Sequence, residues 1–147
     1  MEYNVEKKEI KLDRELSKLD ELVIRFKKII EKHVDYVIIS GYVSILLGRS
    51  RATEDVDLFI NKIPFEVFFK MYKDLKENGF WCLNAEEPKE VFDFLKNNLA
   101  VRFSLENKPI PNFEVRFPKR QIDEETFNDF IIVKLPNEEI KISLKDK

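Results

Sequence analysis

The stretch Tyr36-Val37-Ile38-Ile39-Ser40-Gly41 constrains the fold more than any other: an apolar, β-branched run stops at two small residues. Four consecutive apolar residues between Asp35 and Ser40-Gly41 predict a buried strand. Upstream the period lengthens. Leu12, Leu16, Leu19, Leu22, Phe26 and Ile29 recur at three- and four-residue steps and predict an amphipathic helix over 12–32. Downstream, 42–48 predicts a short helix ending near Gly48. Asp55-Val56-Asp57-Leu58-Phe59-Ile60 then alternates as a half-buried strand with Val56, Leu58 and Ile60 on its inner face. The rest continues in the same way. A helix is expected from Pro64 to about Asn78, a strand over 80–83, and a helix from Pro88 to about Asn97-Asn98. Strands follow over 100–105 and 112–117, joined through 106–109, and a last hairpin pairs 130–135 with 140–144. This order predicts an α+β fold of α/β-type order, a single domain with a mixed β-sheet and helices packed against it. Residues 1–34 read as an N-terminal helix region packed on the core formed by residues 35–147. The apolar stripe of 12–32 is expected to lie on the sheet, with a contact to another chain as the alternative.

Composition narrows the chemistry. The chain has 147 residues, one ordinary domain, and 44% of them are apolar, too many for a disordered chain. With one cysteine, Cys82, no internal disulfide and no cysteine cage can form; with one histidine, His33, a histidine-rich zinc site is excluded. Any metal must sit on carboxylates, which points to hard ions such as Mg2+ or Mn2+. Twenty-six Lys and Arg against 28 Asp and Glu give a net charge of −2, not that of a general nucleic-acid binder. No apolar run is long enough for a membrane span, and the charged N-terminus lacks a signal core, so a cytoplasmic protein is expected. Abundant Lys, Glu and Ile with a single Gln match thermophile usage, and equally an AT-rich genome.

Chemistry concentrates between Ser40 and Ile60. Residues i and i+2 of a strand share a face, so Asp55 and Asp57 repel each other unless a cation lies between them. Such a pair, joined by a third carboxylate, can clamp two metals. A strand that ends in Ser40-Gly41 and opens a helix can cradle a phosphate on backbone N–H groups. An ordinary strand-to-helix turn and two solvated aspartates are the bland readings.

Taken together, Ser40-Gly41, the apolar helix Ile45-Leu46-Leu47-Gly48, the basic residues Arg49 and Arg51, Thr53 and Asp55-Val56-Asp57-Leu58 resemble the DNA-polymerase-beta-like nucleotidyltransferase superfamily. Its minimal members of the abortive-infection toxin type are the nearer likeness. The likeness is strong over these 21 or so residues and elsewhere extends only to element order. The turn departs from the family's Gly-Gly or Gly-Ser, so the serine that meets the triphosphate is Ser40, or Ser44 one turn on. The resemblance implies a third carboxylate on a later strand, for which Glu114 in Phe113-Glu114-Val115-Arg116 is the candidate; its alternative role is cross-strand partner of Arg102 or Arg116.

The resemblance implies a metal-dependent transfer of a nucleoside monophosphate from an NTP to an acceptor, with Asp55, Asp57 and Glu114 as catalytic and metal-binding residues. Ser40, Gly41, Ser44, Arg49, Arg51 and Thr53 would bind the nucleotide. The acceptor is open among a protein, an RNA end and a small molecule, and a partner protein or a homodimer is a further possibility. The alternative is a catalytically weak nucleotidyltransferase-like binding or antitoxin module of a toxin–antitoxin pair. Lys119-Arg120 reads either as a contact to a phosphate backbone or as a solvated charge pair. His33 reads as a partner for a helix C-terminus, and the phenylalanines as core.

Overall fold

The computed structural model describes residues 2–48 and 55–144. Among the described residues, nine strands and five helices follow one another as β1 (Glu2–Asn4), β2 (Glu9–Lys11), α1 (Lys18–Ile30), β3 (Tyr36–Ile39), α2 (Gly41–Leu46), β4 (Asp55–Ile60), α3 (Phe65–Glu77), β5 (Phe80–Cys82), α4 (Pro88–Lys96), β6 (Val101–Leu105), β7 (Lys108–Arg116), α5 (Gln121–Glu125), β8 (Ile131–Leu135) and β9 (Glu138–Ile142). They build one mixed sheet in the order β1-β2-β8-β9-β3-β4-β7-β6-β5. The expected α+β domain is therefore what forms. None of the described helices is long and apolar enough to cross a membrane.

Alternation along β4 divides the sheet into two faces. Val56, Leu58 and Ile60 enter the main core with Val101, Phe103, Phe113 and Val115 of the neighbouring strands, and α1, α3 and α4 cover that face. Phe26 of α1 is 1% exposed and stacks on Phe113 of β7 at 4.1 Å, the residue next to Glu114. The stripe predicted for 12–32 thus lies on the core: Leu12, Phe26 and Ile29 are buried, and Leu16, Leu19 and Leu22 are partly so. On the opposite face Val37, Ile39 and Phe59 form a second, small cluster under Phe127 and Phe130. Beyond that cluster the face carries the carboxylates.

The expected helix over 12–32 begins six residues late, at Lys18. Ser17 caps it: its hydroxyl accepts from the Asp20 backbone N–H, and the Asp20 carboxylate accepts from the Ser17 N–H at 2.8 Å. Leu12 instead continues from β2, donating its N–H to Lys134 at 2.9 Å. Region 1–34 is thus not helix alone, for β2 pairs in parallel with β8 and joins it to the sheet. The strand expected at 112–117 begins earlier, at Lys108, because Asn107, with φ 64°, turns the chain within two residues. The last strand begins at Glu138 rather than 140. Helix α5 was not expected.

Candidate active site

Strand β4 lies between β3 and β7, and this arrangement assembles the site. It runs antiparallel to β3, with Ile39 opposite Asp57, and parallel to β7, with Asp55 opposite Asn112 and Asp57 opposite Glu114. Partners in a ladder share a face, so Asp55, Asp57, Asn112, Glu114 and Arg116 stand on the side of the sheet away from the main core. Strands β3, β4 and β7 are therefore neighbours, and Glu114 is one strand spacing from Asp57.

Three carboxylates on adjacent positions repel one another, and burial worsens the repulsion. Glu114 is 7% exposed. Burial pushes its carboxyl above the ordinary range, and a hydrogen bond with Asp55 and the charge of Asp57 push the same way. Burial also raises Asp57, with Arg116 opposing and Asp55 adding. Two arginines compensate in part. Arg102 of β6, which pairs with Glu114 across the sheet, brings Nη2 to 3.3 Å from Glu114 Oε1; Arg116 Nη2 is 3.5 Å from the same oxygen. Glu114 thus faces the aspartates and is at the same time an ion-pair partner of Arg102 and Arg116.

The donors on this face are hard oxygens. Besides the carboxylates there is Asn112 Oδ1, buried and without a hydrogen-bond partner among the described residues. Such a set suits Mg2+ or Mn2+. It is not drawn together as a ready ligand group: among the described residues no three His, Cys, Asp or Glu side chains converge to hold a metal ion.

Ser40 links β3 to α2 with φ 65° and ψ −137°, a backbone shape that glycine adopts easily and serine does not. This position is where the resembling family carries glycine. Gly41 opens α2, and Ser44 lies within it. Ser40 and Asp57 share a cleft of about 320 Å³ whose wall also includes Phe59, Arg116, Lys119 and Arg120; Gly41 and Ser44 do not line it. Arg49, Arg51 and Thr53 lie outside the described residues.

Behind the site, α2 is held by a network that the sequence reading missed. Asp20 is fully buried and accepts from Arg14 Nη1 at 2.6 Å, Tyr42 Oη at 2.6 Å and the Ser17 N–H. Burial opposes its charge, but these three donors outweigh it and hold the carboxyl below the ordinary range. Its readable signal was Ser17-x-x-Asp20, a capping pattern inside the predicted helix. His33, expected at a helix end, sits just past α1 and meets Asp74 of α3 at 2.8 Å.

A mixed sheet with paired strand aspartates, a facing glutamate and a strained strand-to-helix turn defines a nucleotidyltransferase-like domain. The chain belongs to the family described as "Nucleotidyl transferase of unknown function (DUF2204)", whose model matches residues 18–129. That span covers α1 to α5 with all the site residues, and leaves β1, β2, β8 and β9 outside it. No curated protein matches the chain.

Proposed function

We propose that the protein transfers a nucleoside monophosphate from an NTP to an acceptor hydroxyl at the carboxylate face. The observation that carries this reading is Asp57 paired directly with Glu114, one strand from Ser40. Asp55 and Asp57 would hold Mg2+ or Mn2+, with Asn112 Oδ1 and Glu114 as further oxygens. A cation bound there neutralises charge on the α-phosphate and on the leaving pyrophosphate.

The chain's own residues do the rest. Ser40, with Gly41 and Ser44 nearby, and Arg49, Arg51 and Thr53 receive the triphosphate. The acceptor oxygen attacks the α-phosphorus, the bond from that phosphorus to the bridging oxygen breaks, and pyrophosphate leaves with the electron pair. Glu114 takes the hydroxyl proton.

A second reading, a weak binding or antitoxin module, is favoured by the hold of Arg102 and Arg116 on Glu114. Incubation with each α-labelled NTP, magnesium and a cell lysate as acceptor source separates the two. Label transfer that disappears in Asp57→Ala supports the enzyme; nucleotide binding without transfer supports the module.

A further inference from the structure

We propose that Tyr42, Asp20 and Arg14 are positioning residues for the nucleotide: they clamp α2 at both ends and so impose the Ser40 backbone that receives the triphosphate. This rests on the nucleotidyltransferase reading. None of the three lines the cleft that Ser40 shares with Asp57, so they act through the chain and not by contact.

Ser40 has little of its own to hold its shape. Its φ of 65° with ψ −137° persists in a serine only where the surroundings over-determine it, and its side chain makes no capping hydrogen bond to α2. Helix α2 has six residues, well below the length at which a helix stands alone. The constraint comes from the two ends of the span. Ile39 is fixed in the sheet opposite Asp57. Tyr42, three residues on, is fully buried, and its Oη donates to Asp20 Oδ1 at 2.6 Å. Ser40 and Gly41 must therefore bridge two anchored points, and the Ser40 carbonyl closes the turn by accepting the Val43 N–H at 3.1 Å. Asp20 is itself held by the Ser17 cap at the start of α1. Arg14 reaches the other end of α2: it donates Nη1 to Asp20 Oδ2 at 2.6 Å and Nη2 to the Leu46 carbonyl at 3.4 Å. One buried carboxylate thus ties both ends of α2 to α1, and the effect on the site is to keep Ser40 in the cleft wall beside Asp57.

Tyr42→Phe tests this, because it keeps the ring and removes only the Oη bond. The probe is magnesium with a non-hydrolysable NTP analogue, titrated calorimetrically into the full chain, beside amide NMR spectra of the analogue-free protein. Tyr42→Phe should shift the Ser40 and Gly41 amide resonances and weaken the analogue about tenfold. In a Ser40→Gly background, where glycine takes a positive φ unaided, the same substitution should weaken it less than about threefold. Arg14→Lys, which loses the guanidinium fork, should act in the same direction, and it carries the test if Tyr42→Phe fails to fold. Tyr72→Phe removes a phenol bond of the same kind, from α3 to the Glu86 carbonyl at 2.8 Å, and should leave both readouts unchanged. Wild-type affinity in Tyr42→Phe, an equal loss in both Ser40 backgrounds, or an equal loss in Tyr72→Phe overturns the proposal. Failure of the wild type to bind the analogue overturns the underlying reading; the Ser40 and Gly41 amides then still report the clamp, and unmoved amides overturn it.

Discussion

Asp20 and Glu114 are both buried carboxylates, and the fold treats them in opposite ways. Asp20 receives a guanidinium, a phenol and a backbone N–H, and its charge is held. Glu114 receives two guanidinium contacts longer than 3.2 Å on one oxygen and has two aspartates beside it, and its charge is disfavoured. The first is a carboxylate whose charge is compensated, in a network that fixes α2 against α1. The second is a cluster whose compensation is partial, the signature of a site built to receive charge from outside. On the proposed reading, stability belongs to one and chemistry to the other.

The sharpest way to break this contrast is to neutralise each side. Asp57→Asn should lower nucleotidyl transfer by about a thousandfold or more, roughly 4 kcal/mol of transition-state stabilisation. Its melting temperature should not fall, since the substitution relieves repulsion. Loss of activity together with unfolding would mean that the cluster is structural. Asp20→Ala should instead cost about 3–5 kcal/mol of stability in a denaturant titration, because Arg14 and Tyr42 lose the partner they bury against. A cost below about 1 kcal/mol would show that the network is incidental.

The pH dependence should divide the same way. Asp20 has a folded pKa below its unfolded value of about 3.9, so its contribution is whole above that value and is lost as pH falls through the folded pKa. Asp74 behaves likewise, held low chiefly by its hydrogen bond with His33. Glu114 is raised, so its ionisation costs stability as pH rises through the folded pKa. Glu114→Gln should therefore stabilise the protein more at pH 8 than at pH 4, while Asp20→Asn should flatten the acid limb of urea melts. Ser40→Gly is the smallest test. Relief of the φ 65° serine should add about 1 kcal/mol, less the entropy that glycine brings to the unfolded chain.

The parts of the fold that position the carboxylates were legible because burial wrote them into the sequence. Tyr36–Ile39 is apolar throughout, and β4 alternates cleanly around Asp55 and Asp57. Glu114 was legible from Phe113 and Val115 on either side. The N-terminal hairpin was not, for Glu2–Asn4 and Glu9–Lys11 bury only Ile10 and carry no period. Leu12 and Leu16 kept a helical spacing outside any helix, and that spacing outvoted the cap at Ser17. Helix α5 is too short for periodicity and depends on Asp123, whose role as acceptor is local. In the site, Arg102 and Arg116 were noticed only as partners of Glu114. Their joint hold on one oxygen depends on β6 lying beside β7, which pairing alone decides.

The most direct test of the carboxylate face is a calorimetric titration of magnesium with a non-hydrolysable NTP analogue into the wild type, Asp55→Asn and Asp57→Asn. If this face is the nucleotide site, the wild type binds the analogue only when magnesium is present, and either substitution removes that binding while the protein stays folded. Equal, magnesium-independent binding by all three proteins, or none by the wild type at millimolar analogue, would contradict it.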